Sequence, residues 1–287
     1  MRHFKWLIGF LVLGVMLQAC PQRPPAGAQP QRRVTLTRVV RIPVRVLTAD
    51  TSRAALRENP GVLTLTAGAA DELPQGPTGF EVLAGGGLVI TDPLERRLVF
   101  YDSLGNFLRE LRTGFAAATL ARLPNDELEV SEATSGNYYA LDQNGQSRLV
   151  TDSLRSLSAQ AQAQARLLNS QRGLIVRAAA LGGGADTLVI AFDGAGGAQM
   201  VSLQSLEQEA RGDTYVALEI TSGASEAVAV QKRIRRYAAD GTWLVEITDL
   251  PLDYYVTPEE EFRVRNGVVY QLLPRQNEVL INIWDTN

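Results

Sequence analysis

Ile90-Thr91-Asp92-Pro93-Leu94-Glu95-Arg96-Arg97-Leu98-Val99-Phe100-Tyr101-Asp102-Ser103-Leu104-Gly105-Asn106-Phe107-Leu108-Arg109-Glu110-Leu111 is the stretch whose reading decides the fold. Leu88–Thr91, Leu98–Tyr101 and Phe107–Leu111 are three short apolar runs. Asp92-Pro93 and Asp102-Ser103-Leu104-Gly105-Asn106 separate them with turn residues. Short runs with such punctuation predict antiparallel strands.

The second turn recurs along the chain. Leu141-Asp142-Gln143-Asn144-Gly145 has the same layout, and Phe192-Asp193-Gly194-Ala195-Gly196 is a looser copy. Tyr237-Ala238-Ala239-Asp240-Gly241-Thr242-Trp243-Leu244 sets the Asp beside the Gly. The glycines at 105, 145, 196 and 241 are 40, 51 and 45 residues apart, near the length of one four-stranded propeller blade. A tight hairpin asks for glycine because its backbone needs a positive φ.

The 90–111 stretch resembles one blade of an NHL-type β-propeller. Such a blade has a strand ending in Asp, a short basic turn, a strand ending in an aromatic and Asp, then Gly and a last strand. The resemblance implies an all-β propeller and no particular activity, because propellers host many functions.

The remaining segments fit that expectation. Val62–Thr66 and Phe80–Leu83 read as strands ahead of the decisive stretch, and Phe262–Val264, Gly267–Leu272 and Val279–Trp284 as the closing ones. A propeller that ends on a strand needs an N-terminal strand to complete its last blade, and Val34–Val40 or Val62–Thr66 is expected to supply it. Pro43 suits an edge position. Residues 60–287 hold material for about five or six blades at roughly 40–45 residues each. One segment departs: Leu154, Leu157, Ala161, Ala165 and Leu168 recur at helical spacing, so a helix is expected over 152–170, with a strand as the alternative.

The N-terminus carries an export pattern. Arg2 and Lys5 precede an apolar run from Trp6 to Gln18, too short to span a bilayer. Leu17-Gln18-Ala19-Cys20 resembles the lipobox of bacterial lipoproteins. The resemblance implies cleavage after residue 19 and acylation of Cys20, with palmitate-type chains holding the protein in a membrane. Pro21, where Asp would signal inner-membrane retention, points to the outer membrane if the cell has one. Residues 20–33, rich in Pro, Gln and Ala, then form a lipidated tether, and 34–59 an N-terminal strand and linker.

Composition narrows the chemistry. The chain has 28 Lys and Arg against 31 Asp and Glu, one His and one Cys. That balance carries no electrostatic footprint for nucleic acid. His3 lies in the signal, so the mature body has neither imidazole nor a second thiol. Ser-His-Asp and Cys-His machinery and ordinary zinc sites are excluded, and no metal or cofactor is expected. The enzymatic options left are carboxylate pairs, a Tyr or Lys base, or an all-oxygen metal site.

Four surface features follow. Arg211-Gly212-Asp213 is read as a turn between strands rather than an adhesion motif. The Asp193–Gly197 glycine cluster is read as a hairpin. Lys232-Arg233-Ile234-Arg235-Arg236 suits the solvent face of a strand, with Arg233 and Arg235 as candidate contacts for an anionic glycan or headgroup. Asp253-Tyr254-Tyr255 with Glu259 and Glu260 puts aromatics and carboxylates on one loop, the first place to seek a binding surface. Trp243 and Trp284 are read as core. The expected function is a lipid-anchored envelope protein that presents a propeller face to a protein or glycan; the alternative is a carboxylate-based hydrolase or lyase acting on envelope polysaccharide.

Overall fold

The computed structural model describes residues 29–47, 59–68, 72–123, 125–142, 144–150, 164–177, 186–223 and 228–287. Cys20, the signal segment and the Gly182–Gly184 cluster lie outside the described residues.

Among the described residues the strands form five sheets. The first holds Phe80–Val82, Leu88–Asp92, Arg97–Tyr101 and Phe107–Arg112. The second holds Ala117–Arg122, Leu128–Glu132, Tyr138–Leu141 and Ser147–Val150. Gln164–Asn169, Arg172–Arg177 and Asp186–Ala191 make the third. The fourth contains Gln199–Gln208, Thr214–Ser222, Ala229–Tyr237 and Trp243–Ile247. The fifth contains Phe262–Arg265, Val268–Pro274 and Glu278–Asp285. Within each sheet these strands pair antiparallel in chain order.

The leading strands of the first and second, third and fourth, fourth and fifth, and fifth and first sheets touch, and each sheet is a blade: the fold is a β-propeller. The continuous apolar runs follow from this geometry. A blade packs on both faces, and strand side chains alternate between faces. Leu88 and Ile90 pack toward the fifth sheet, with Ile42 and Ile281, while Val89 between them packs toward the second, with Leu120 and Val130. Comparable clusters join the third sheet to the fourth through Ile190 and Val216, and the fourth to the fifth through Ile234 and Val264. The outermost strand Phe107–Arg112 has a single packed face and reads polar, FLRELR.

An N-terminal strand completes the last blade, as expected. Arg38–Pro43 of Arg38–Leu47 pairs antiparallel with Glu278–Ile283, and Val44–Leu47 pairs parallel with Leu63–Thr66. Both candidate segments therefore take part, and Pro43 sits where the pairing changes partner. Upstream, Arg32–Arg33 adds in parallel to the outer edge of the fourth sheet.

Three of the four glycine turns are outer-strand hairpins. Gly105, Gly145 and Gly241 have φ of 89°, 85° and 87°, which L side chains rarely adopt. Each donates its N–H to the carbonyl three residues back, at 3.1, 3.1 and 2.9 Å. Asp102 and Asp142 reinforce their turns by accepting two backbone N–H groups each, at 2.8–2.9 Å. Gly196 differs: it lies in a short 3₁₀ turn, Ala195–Gly197, that links the third sheet to the fourth.

The helix expected over 152–170 is not formed in its described part. Gln164–Asn169 is a strand paired with Arg172–Arg177, and residues 152–163 lie outside the described residues. Five of its six residues are exposed, so Ala165 and Leu168 reflect an edge strand rather than an apolar helical face.

Candidate functional site

The leading strand Phe262-Arg263-Val264-Arg265 alternates apolar and basic residues. Phe262 and Val264 enter the core with the fourth sheet, and the two arginines take the opposite side. There they meet carboxylates from the leading strands of other blades. Glu81, 1 % exposed, lies 3.3 Å from Arg263 Nε and 2.7 Å from Arg265 Nη2. Arg265 Nη1 reaches Glu207 at 3.4 Å. Arg263 also donates to the Leu120 carbonyl at 2.6 Å and pairs with Glu260, whose carboxylate accepts the Leu120 N–H at 3.1 Å. One polar network thus ties the first, second, fourth and fifth blades at the axis.

Burial sets the electrostatics of that network. It raises the Glu207 carboxyl above the usual carboxylate range, and the neighbouring Glu81 charge adds to this against the pull of Arg265. Burial likewise lowers the Arg263 guanidinium, opposed by Glu81. The sequence reading missed Glu81, Arg263, Arg265 and Glu207. The one local trace was the Arg-x-Arg alternation in a strand otherwise read as core.

The Asp253–Glu260 loop divides. Asp253, Tyr254 and Tyr255 line an open cleft of about 420 Å³ with Arg275, Asn277 and Glu278. Arg275 bridges to Asp253 at 2.7 Å, and Arg41 holds Glu278 at 2.7 Å. The Tyr254 hydroxyl donates to Glu261 and accepts from Gln271 Nε2 at 3.1 Å, while Lys232 Nζ, ion-paired to Glu261, sits 5.6 Å from its ring centre. Burial, and then the hydrogen bond to Glu261, push the Tyr254 phenol well above its usual range, so it stays neutral. Glu259 is exposed, its N–H bonded to the Thr78 carbonyl at 2.9 Å. Glu260 faces the axial network instead.

The basic run is not a solvated strand face. Arg235 is 3 % exposed, bonded to Glu246 at 3.1 Å and to the Ala191 carbonyl at 2.8 Å, with its guanidinium 4.0 Å from the Trp243 ring centre. Arg236 binds Asp213 at 2.6 Å and the Thr286 carbonyl at 2.7 Å. Arg233 is partly exposed, 3.7 Å from Glu246. These arginines join strands and blades, which explains their density. Arg211-Gly212-Asp213 is a tight turn, with Gly212 donating to the Glu209 carbonyl at 2.8 Å. Trp284 is fully buried; Trp243 is partly buried and donates to the Val245 carbonyl at 3.1 Å.

No family model and no curated protein matches the chain. Among solved structures it is similar to a gluconolactonase from Xanthomonas campestris, with 11 % identity, TM-score 0.35, and coverage of 87 % of this chain and 98 % of that one. BamB from Moraxella catarrhalis aligns with 15 % identity, TM-score 0.33, and coverage of 88 % and 99 %. Virginiamycin B lyase from Staphylococcus aureus aligns with 7 % identity, TM-score 0.32, and coverage of 75 % and 86 %.

Proposed function

We propose that this chain is a lipid-anchored envelope protein, acylated at Cys20, that binds a protein or glycan partner through the propeller end bearing Asp253, Tyr254, Tyr255 and Glu259. The observation that supports the binding site is the open cleft of about 420 Å³ beside Asp253–Tyr255. Its aromatic wall is held in advance by Glu261, Gln271 and Lys232, so little side-chain freedom is lost on contact. Arg233 and the outer membrane belong to the same proposal as secondary elements.

Site-specific photocrosslinking from position 255 in native envelopes, repeated with Asp253→Ala, tests the surface. One adduct that disappears in the variant supports the reading, and no adduct at all overturns it. Detergent partitioning of Cys20→Ser tests the anchor: a variant that stays in the membrane fraction as strongly as the parent overturns that part.

One observation favours a second reading, the carboxylate-based hydrolase or lyase. Glu81 and Glu207 both pair with Arg265, and burial raises Glu207. Two carboxyl groups held in unlike environments are what acid–base cleavage of glycosides uses. Turnover of envelope polysaccharide that Glu207→Gln abolishes would establish it.

A further inference from the structure

The opposite end of the propeller carries a second cleft. The inner-hairpin turns of three blades converge there: Leu83–Gly87 of the first, Arg122 of the second and Asn266 of the fifth. The fourth joins them, because Glu209 accepts the Gly267 N–H at 2.7 Å. The seven residues of Val268–Pro274 separate this cleft from the tyrosine cleft, roughly 20 Å along the strand.

The cleft measures about 430 Å³, near the lower end of small-molecule sites, which run about 300–1,000 Å³. Arg38, Arg122 and Arg265 line it, and no carboxylate is among its lining residues, although Glu81, Glu207 and Asp126 stand behind two of the arginines. Two of these guanidiniums are fixed in advance. Glu81 and Glu207 hold Arg265, and Asp126 holds Arg122 at 2.9 Å from Nε. Arg38 is exposed on the rim. Tyr270, Val82 and Val268 supply an apolar wall, and Ser103 a hydroxyl.

We infer that this cleft binds an anionic sugar, its oxyanion on Arg38, Arg122 and Arg265 and its ring against Tyr270. Convergent arginines suit a carboxylate or phosphate, which a guanidinium engages through paired N–H groups. An apolar wall beside them suits a sugar face rather than a bare ion. The volume fits one or two sugar residues and not a protein segment.

Calorimetric titration of the full-length protein with glucuronate, glucose 6-phosphate and glucose tests this. Saturable binding of either anionic sugar, with glucose silent, is expected, and the stronger of the two identifies the oxyanion. Arg38→Gln, on an exposed side chain, weakens it at least about tenfold. Arg172→Gln, on an exposed side chain of the third sheet, loses the same charge outside both clefts and binds as the parent does. Absence of binding by both anionic sugars, equal binding of glucose, or equal weakening by Arg172→Gln each overturns the proposal. The tyrosine cleft at the other end stands or falls separately.

Discussion

Arg236 Nη2 lies 2.6 Å from Asp213 Oδ2, and both residues are buried, at 7 % and 8 % exposure. This pair anchors the Glu209–Asp213 turn to the third strand of the fourth blade. Removing one partner strands a charge away from water, at about 3–5 kcal/mol. Asp213→Ala is therefore expected to lower the urea midpoint sharply, and Asp213→Leu with Arg236→Met to recover much of the loss. A double-variant result no better than the single one would show that the pair is not the cause.

Asp92 sets a pH dependence. Burial pushes its carboxyl up to about 6, against the pull of Arg97. The folded state then holds a proton that the unfolded chain releases near 4. Between those values folding binds a proton, so this group makes the fold lose stability as pH rises from about 4 to about 6, with no further change above. The amplitude is on the order of 3 kcal/mol. Urea midpoints of the parent and Asp92→Asn, compared across pH, should differ by an amount that changes in that window and levels off. A constant difference would show that Asp92 titrates normally.

Gly79 permits two blades to approach. A Cβ there would lie 2.3 Å from the Ala118 carbonyl oxygen, which is backbone and has little freedom to yield. Thr78 Oγ1 already donates to that carbonyl at 3.0 Å. Gly79→Ala is expected to cost about 1–3 kcal/mol, the usual range for overpacking. Gly114→Ala is the comparison: a Cβ there would meet nothing within 4 Å, and only its φ of 78° strains the change. Thermal unfolding should show the larger loss at 79.

The N-terminal strand closes the last blade through side chains as well as pairing. Ile42 has no exposed surface and packs with Ile281 and Ile90. Ile42→Ala is expected to cost about 2–5 kcal/mol. Circular dichroism on heating should show the sheet signal lost in one step at a lower temperature. Early loss confined to a minor fraction of the signal would mean that the strand is dispensable.

Much of the fold was legible because its signals are local. Asp102 and Gly105 make their turn with hydrogen bonds inside five residues. Leu88–Asp92 reads apolar because both faces are covered. The axial network left little trace, since Arg265 and Glu81 are 184 residues apart and neither is unusual in its own segment. The basic run misled for a related reason: five consecutive residues show their charge, but not that Glu246 and Asp213 wait on neighbouring segments. Ala165 and Leu168 imitated a helix because an exposed edge strand imposes no apolar period of its own.

The closing strand has one more consequence. Arg38 pairs with Ile283, so the last blade is closed by two strands that lie far apart in the chain, with Leu63–Thr66 outside them. Contacts that join such distant segments form slowly, because the entropy of closing the loop is lost before the contact returns anything. The ring cannot shut until Glu278–Asp285 has met Arg38–Leu47. The propeller should therefore close in a single late, slow step.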